Sequence, residues 1–178
     1  MLNVLTSLLP HLTLASHIVL IFILLALVFD RKGQSKTVVW LGHNAIRLGL
    51  LISFMGISGS LLYSIGLGYE PCVLCWWQRV LLFPLPIIFL TAWWRGKGDV
   101  FQYVVPLVVI AFIIALYQSY TYMGGVSILE CTSVEGDCSR VYVKEFGYIT
   151  IPMMSLTISA YILALAWAKK IYDKNRHA

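Results

Sequence analysis

Five stretches of the sequence are long and apolar enough to cross a membrane, and they constrain the fold more than any other feature. They cover about 12–29, 46–67, 73–94, 101–122 and 149–168 of the 178 residues. A helix needs roughly 20 mostly apolar residues to cross the hydrocarbon core of a bilayer. Apolar residues make up 60% of the chain and charged residues only 12%, so little sequence remains for a soluble domain. The sequence therefore predicts an all-α integral membrane protein with five spans.

Most of the basic residues lie between alternate spans, on one predicted side of the membrane. Ten of the 13 Lys and Arg residues are on that side, namely Arg31, Lys32, Lys36, Arg47, Arg95, Lys97, Lys169, Lys170, Lys174 and Arg176. Cytoplasmic loops collect Lys and Arg, so we expect the cell membrane as location, with the N-terminus outside and the C-terminus inside. Topology accounts for the net charge of +5, and no nucleic-acid partner is expected.

The chain divides into three predicted parts. The first span lacks a basic leading region and a small-residue cleavage site, so we interpret it as a retained helix and not a signal peptide. Residues 1–45 then form this helix and a cytoplasmic loop over 30–45, residues 46–168 form a four-helix unit, and residues 169–178 form a basic cytoplasmic tail. A polar external loop is predicted over 123–148.

Small residues and prolines within the spans predict close, bent packing. Gly49 and Ser53 are four residues apart, as are Gly56 and Ser60, so each pair shares a helix face where another helix can approach. We attach no chemistry to these four residues. Prolines at 84 and 86 in the third span are tolerated in membrane helices but bend them.

All four cysteines fall on the predicted external side, as two pairs. Cys72 and Cys75, the helix cysteine pair, stand at the outer end of the third span, and Cys131 and Cys138, the loop cysteine pair, lie in the external loop. Disulfides form and persist in extracytoplasmic compartments. An even number of cysteines, grouped in pairs in one compartment, is the main functional indication in this sequence.

The helix cysteine pair is followed one turn deeper by an arginine. Pro71 suits the first position of a helix, and a helix N-terminus favours a thiolate. Arg79 lies four residues after Cys75 on the same face. An arginine inside the bilayer needs a partner, so Arg79 has three interpretations: it stabilises a thiolate, it holds a polar ligand head, or it extends to the headgroups.

The loop cysteine pair has two open interpretations. Six residues separate Cys131 from Cys138, and Gly136-Asp137 between them can turn the chain back. Such a small loop can close into a disulfide that pins the loop. Beside the helix cysteine pair, the same disulfide can instead form part of an electron relay, because exposed disulfides are more readily reduced than structural ones. A zinc or soft-metal site is disfavoured by the wide spacing, and we predict no metal.

Aromatic residues and histidines add little at this level. The outer ends of the spans carry Trp76, Trp77, Tyr69, Tyr117, Tyr120 and Tyr122, which is typical of an interfacial aromatic belt. The four histidines, His11, His17, His43 and His177, are scattered, and we assign them no role.

Three features together resemble a known family. "PCVLCWWQR" opens a span, an external cysteine pair follows two spans later, and "FGYITIP" opens the last span. Over about residues 46–168 the chain resembles the disulfide bond formation protein B (DsbB) family and its BdbC-like branch. The resemblance implies a four-helix transmembrane bundle and a disulfide-generating protein dithiol:quinone oxidoreductase. Such an enzyme reoxidises a thioredoxin-fold, DsbA-like thiol oxidase on the outer face and passes the electrons to ubiquinone or menaquinone.

The resemblance implies a role for each cysteine. Cys75 faces the quinone, and Cys72 is its disulfide partner and the link to the loop. Cys131 forms the mixed disulfide with the partner oxidase, and Cys138 is the resolving partner of Cys131 and exchanges with Cys72. The implied disulfides are therefore Cys72–Cys75 and Cys131–Cys138.

Two further residues match the family pattern, and two features depart from it. Arg79 and Gln118 are implied to lie near the quinone. The first span has no counterpart in the four-helix pattern, and the loop cysteines are closer together than in the best-known branch, as in the BdbC-like branch. Whether Cys138 reaches Cys72 is left open.

Three alternatives remain at this point. The vitamin K epoxide reductase family also has loop and helix cysteines in a membrane bundle, but with the loop pair first in the chain. A structural membrane protein with two stapling disulfides leaves Arg79 unexplained. A soft-metal carrier would bind metal through reduced cysteines.

Overall fold

The computed structural model describes residues 2–30, 33, 35–96, 98–126 and 142–176, with residues 2–7 as backbone only. It consists of the helices α1 (Leu2–Phe29), α2 (Lys36–Leu61), α3 (Val73–Leu82), α4 (Leu85–Arg95), α5 (Phe101–Tyr122) and α6 (Ile151–Arg176). A π-helical turn, Leu62–Gly66, extends α2, and a short 3₁₀ turn, Gly98–Val100, precedes α5. In these described residues there is no strand, only an isolated bridge between Glu145 and Ile149. The predicted all-α fold class is confirmed.

Five helical segments are long and apolar enough to span a membrane, as predicted. They are Leu8–Phe29, Lys36–Gly66, Val73–Arg95, Gly98–Tyr122 and Ile151–Arg176. Four of them form a closed bundle in which α2 packs on α4 and α6, and α5 packs on α3 and α6. The remaining helix, α1, packs outside this bundle against α6 and, to a smaller extent, α2. We call the end of the bundle that carries the helix cysteine pair the outer end, and the opposite end the inner end.

The inner half of the bundle contains a continuous apolar core. Its fully buried side chains include Leu27, Leu85, Phe89, Val104 and Ile162. The small residues of α2 face close neighbours, as predicted. A Cβ atom added to Gly49 would lie 2.7 Å from the Phe89 ring, which shows why glycine is needed there. This packing anchors the bundle below the helix cysteine pair.

The first connection is shorter than predicted. Instead of a loop over 30–45, α2 begins at Lys36, because Ser35 caps it by accepting a hydrogen bond from Val38 N–H at 3.4 Å. Arg47, predicted to lie between two spans, lies inside α2 with its guanidinium 5.9 Å from the Trp93 ring centroid. The 31 residues of this span exceed the roughly 20 that the hydrocarbon core requires. The first turns of α2 therefore continue the helix beyond the predicted span, and they mix polar residues with Val38 and Leu41, which are buried in the bundle.

The third span is interrupted where the prolines predict a bend. α3 ends at Leu82 and α4 begins at Leu85, and Pro84 is the N-cap residue of α4. Proline has no N–H to donate, so Pro84 and Pro86 each remove one hydrogen bond from a continuous helix at this place. The interruption lies between the helix cysteine pair and the inner core, and it separates the span into an outer and an inner helix.

Candidate functional site

The helix cysteine pair is built by the start of α3. Cys72 is the N-cap residue, with its sulfur accepting a hydrogen bond from Cys75 N–H at 3.4 Å. The sequence predicts Pro71 at the first helical position. In the structure, Pro71 instead lies one residue before the cap. The cap geometry brings the two sulfur atoms to 2.8 Å from each other as thiols. Two thiols this close are placed to form a disulfide of about 2.05 Å once an acceptor removes two electrons and two protons.

Two glutamines connect the sulfur atoms to the middle of the bundle. Gln118 of α5 is fully buried, and its amide nitrogen donates to Cys72 Sγ at 3.1 Å and to Cys75 Sγ at 3.2 Å. Its amide oxygen accepts a hydrogen bond of 2.8 Å from Gln78 Nε2 of α3. We call these two residues the glutamine network. Because Gln78 holds the oxygen of Gln118, the donor end of Gln118 is turned toward the sulfurs.

The two cysteines differ in their surroundings. Cys72 is 5% exposed, and its hydrogen bond to Cys75, together with burial, raises the pKa of the Cys72 thiol. Cys72 thus tends to keep its proton and to donate it toward Cys75. Cys75 receives donors from Cys72 and Gln118 and stands in the first turn of α3, where the helix dipole favours negative charge. Cys75 is therefore the sulfur better suited to carry negative charge.

Arg79 is held by α2 and does not simply extend to the headgroups. Its Nε donates to Ser60 Oγ at 3.1 Å and its Nη2 donates to the Ser60 carbonyl at 3.2 Å. The guanidinium also lies 5.4 Å from the Trp76 ring centroid and 5.9 Å from that of Phe83. Ser60 lies two residues before the π-helical turn, a feature that is frequent at functional sites. These contacts hold the guanidinium of Arg79 in the outer half of the bundle.

A cavity of about 370 Å³ opens beside these residues. The helix cysteine pair, Arg79, Gln118 and Gln78 line it together with residues of α1, α2 and α6. Most of the remaining lining side chains are apolar, and this volume is within the range of about 300–1,000 Å³ of small-molecule sites. The structure thus brings the predicted site residues of α3 and α5 to one cavity.

The aromatic residues of the outer end divide into two groups. Trp76, Trp77 and Tyr120 are more than half exposed, as a membrane-interface belt requires. Tyr69 and Tyr122 instead line the cavity. The belt interpretation therefore holds for only part of the group.

The loop cysteine pair, Cys131 and Cys138, lies outside the described residues. The chain is described again from residue 142, where the Tyr142 ring stacks on Tyr69 with centroids 4.6 Å apart. Tyr69 in turn stacks on Tyr63 at 6.1 Å. We call these three rings the tyrosine stack. It places the end of the external loop beside the segment that leads into Cys72.

Sequence reasoning missed three residues that shape this site. Gln78 and Ser60 hold Gln118 and Arg79, and His17 connects α1 to α6 through Thr157 Oγ1 at 2.8 Å. The signal was present, because polar and ionisable residues within membrane spans are expensive and usually functional. The sequence pattern predicts only a packing role for Ser60 and none for His17.

The fold and the site define a class of protein, namely helical membrane proteins with a dithiol centre that opens on a cavity within the bundle. The chain belongs to the DsbB family, since the family model described as "Disulfide bond formation protein DsbB" matches residues 42–169.

Curated relatives agree with this assignment. The chain is 35% identical over 130 residues to the "SPbeta prophage-derived disulfide bond formation protein B" of Bacillus subtilis (strain 168), covering 71% of this chain and 88% of the relative. It is 33% identical over 135 residues to the "Probable disulfide formation protein C 2" of Bacillus anthracis, covering 76% and 95%. A "Probable disulfide formation protein" of Chlamydia caviae is 41% identical over 118 residues, covering 65% and 84%. No solved structure matches the chain.

These comparisons confirm the predicted family, and the relatives include Bacillus proteins of the predicted branch. They favour it over the vitamin K epoxide reductase family. Membership supports a role in disulfide bond formation and implies oxidoreductase activity in a multi-pass membrane protein. Helix α1 lies outside the matched residues 42–169.

Proposed function

We propose that the protein reoxidises an extracytoplasmic thioredoxin-fold thiol oxidase and passes the electrons through its two cysteine pairs to a membrane quinone. The observation that carries this proposal is the position of the helix cysteine pair. Both sulfurs accept a hydrogen bond from Gln118, and they line a largely apolar cavity that Arg79 also lines. A purely structural disulfide needs neither the donors nor the cavity.

The proposed orientation places this cavity toward the outside of the cell membrane. The outer end of the bundle contains the start of α3, the end of α5 and the start of α6. Ten of the 13 basic residues belong to the inner end and its connections. The positive-inside rule then assigns the inner end to the cytoplasm. Thiol exchange would thus occur where a DsbA-like oxidase has access.

The proposed relay consists of successive thiol–disulfide exchanges. A thiolate of the reduced oxidase attacks the Cys131–Cys138 disulfide at Cys131, which forms a mixed disulfide and releases Cys138 as thiolate. The second oxidase thiolate then displaces Cys131, so that the oxidase leaves oxidised and the loop cysteine pair is reduced. Cys138 next attacks the Cys72–Cys75 disulfide at Cys72 and releases Cys75 as thiolate. Attack by Cys131 on Cys138 restores the loop disulfide and leaves the helix cysteine pair reduced.

The tyrosine stack supports the exchange between the two pairs. Cys138 is four residues from Tyr142, a length of chain that spans at most about 14 Å. Tyr142 itself stacks on Tyr69, three residues before Cys72. A tether of this length, which starts at the ring stacked on Tyr69, would let Cys138 exchange with Cys72, although the loop cysteines are close together in sequence.

The described residues fit a quinone. The cavity combines apolar walls with a guanidinium, and Arg79 would hold a quinone oxygen while keeping its bonds to Ser60. When bound, ubiquinone or menaquinone supplies an acceptor for two electrons and two protons. The protein's own part is to stabilise charge on Cys75 through Gln118 and to exclude water with the apolar walls. Gln118 would therefore act on the sulfurs at least as directly as on the ligand.

Quinone reduction by the purified protein in detergent tests the proposal. Reduced thioredoxin-fold oxidase is the electron donor, and Cys75→Ser and Cys131→Ser run beside the wild type. We expect turnover in the wild type and its loss in both variants. Turnover that survives in Cys75→Ser would remove Cys75 from its place before the quinone. No turnover with any quinone, with both disulfides resistant to reduction, would support two structural staples instead.

A further inference from the structure

Helix α1 is attached to the family bundle by a histidine. His17 Nε2 lies 2.8 Å from Thr157 Oγ1, and Nδ1 lies 3.3 Å from the Tyr148 hydroxyl. Thr157 donates its one hydroxyl proton to the Met153 carbonyl at 2.8 Å, so it accepts from His17. Nε2 therefore carries the proton, and Nδ1 accepts from Tyr148. Both ring nitrogens are satisfied, as an apolar environment demands.

Further contacts fix the rotation of α1 along its length. Tyr161 of α6 donates a hydrogen bond to the Ser16 carbonyl. Nearer the outer end, the His11 ring meets Phe146 edge-on with centroids 4.9 Å apart. At the inner end, Leu27 is fully buried in the apolar core. One face of α1 is thus held against the bundle, although most of the helix surface is exposed.

That arrangement turns part of α1 toward the cavity. Leu9, Leu12, Thr13 and Ser16 line it, and their spacing of three to four residues puts them on one helix face. The Thr13 hydroxyl donates to the Leu9 carbonyl at 2.9 Å, and the Ser16 hydroxyl donates to the Thr13 carbonyl at 2.8 Å. Because both hydroxyl protons are used by the backbone of α1, this wall offers a ligand no hydroxyl donor and mainly the hydrocarbon of Leu9 and Leu12. Arg79 and the cysteines line the same cavity with polar groups.

We propose that α1 is a specificity-determining wall of the quinone site, which contacts the apolar part of a prenylated quinone. The proposal rests on the proposed function. It extends that function to α1, which lies outside the residues matched by the family model. Within the cavity, the binding energy from α1 comes from shape and apolar contact, while Arg79 supplies the polar contact. Changes to this face of α1 should therefore alter which quinones bind and how tightly.

A pair of tryptophan substitutions on α1 tests the proposal in the full-length protein. Leu9→Trp adds volume to the cavity wall, whereas Ile18→Trp adds the same type of side chain at a position that is 69% exposed. Ubiquinone and menaquinone retained per protein after gel filtration in detergent measure binding directly, and quinone titrations give KM and kcat. We expect Leu9→Trp to weaken retention and to raise KM about tenfold or more, with a smaller effect on kcat, because overfilled sites exclude ligands. Ile18→Trp should match the wild type.

A second pair of variants acts without entering the cavity. His17→Leu removes both polar contacts of His17, whereas His17→Gln keeps one donor and one acceptor. We expect His17→Leu to weaken quinone retention several-fold and His17→Gln to restore most of it. If Leu9→Trp does not fold, the two His17 variants still test whether α1 contributes to quinone binding.

The outcomes separate the two proposals. Quinone retention and KM in Leu9→Trp and His17→Leu equal to those of the wild type would overturn the role of α1 and leave the proposed function intact. A wild type that exchanges disulfides with the oxidase but neither retains nor reduces a quinone would overturn the quinone reaction itself, and the role of α1 with it.

Discussion

Replacing Gln118 with leucine separates two roles of the glutamine network, filling the bundle and stabilising charge on sulfur. Gln118 is fully buried and makes one hydrogen bond to Gln78 and one to each sulfur of the helix cysteine pair. Leucine has a similar size, so Gln118→Leu mainly removes hydrogen bonds. Gln118→Leu leaves the Gln78 amide without its hydrogen-bond partner. The double variant Gln78→Leu/Gln118→Leu also removes that amide.

Gln118→Leu should change two quantities, the free energy of unfolding and the thiolate population of the helix cysteine pair. A buried amide that loses its partner costs about 1–3 kcal/mol, so Gln118→Leu should lower the free energy of unfolding by that amount. The double variant should recover most of it. A hydrogen bond to a charged group contributes about 1.5–3 kcal/mol. Losing the Gln118 donor should therefore lower the thiolate population of the reduced helix cysteine pair by roughly 10- to 100-fold, because 1.4 kcal/mol corresponds to a factor of ten.

Alkylation of the reduced protein by iodoacetamide measures the second effect. Serine at both loop cysteine positions leaves only the helix cysteine pair to react, and mass spectrometry gives the rate at one pH. Thermal unfolding in detergent measures the first effect. We expect slow alkylation in both variants that lack Gln118, and the largest loss of stability in Gln118→Leu alone. Wild-type alkylation rates in the double variant would refute the idea that Gln118 stabilises charge on sulfur.

Three further predictions follow from contacts around the site. Gly42→Ala should lower the free energy of unfolding in detergent by about 1–3 kcal/mol, because its Cβ would lie 2.4 Å from an α6 side-chain atom, whereas Gly59→Ala meets nothing within 4 Å and should not destabilise. Ser60→Ala should weaken quinone retention about fivefold, the equivalent of one hydrogen bond of about 1 kcal/mol, while Ser58→Ala, whose hydroxyl bonds its own helix, should not change it. Tyr142→Ala should slow disulfide exchange between the loop and helix cysteine pairs about two- to tenfold in rapid-quench trapping, and Tyr142→Phe should restore it, because the ring contact is worth about 0.5–1.5 kcal/mol.

Hydropathy and charge predict most of this fold because a bilayer leaves few alternatives. Every backbone polar group in a span must be paired within the protein, so a long apolar stretch becomes a helix. The five predicted spans are all present, and the interruption near Pro84 is also found. The predicted second span starts at residue 46, ten residues after the observed start of α2 at Lys36, because the first turns mix polar with apolar residues and their cap depends on Ser35. Hydropathy does not distinguish a polar loop from a helix that extends beyond the hydrocarbon core.

The site was predictable to the extent that its residues are adjacent in sequence. The cysteine spacing and the arginine one turn later are local patterns, so Cys72, Cys75 and Arg79 could be identified together. Their partners come from other helices, Ser60 from α2 and Gln118 from α5. Such pairings depend on which helices are neighbours and on their rotation, and neither property follows from one sequence. Gln118 was found only through the family resemblance.

Polar and apolar residues occupy different depths of this bundle, and the division separates stability from chemistry. The continuous apolar core lies in the inner half, where Phe89, Val104 and Ile162 are fully buried. The glutamine network, the bond between Arg79 and Ser60 and the histidine contact of α1 all lie in the outer half. Buried hydrogen bonds of this kind contribute only about 0.6 kcal/mol on average in a membrane protein, so the inner core can hold the helices while the outer contacts adjust the sulfurs and the cavity. Substitutions in the outer half that leave no buried polar group without a partner should therefore change quinone binding and thiol reactivity more than the unfolding temperature, and substitutions in the inner half should do the reverse.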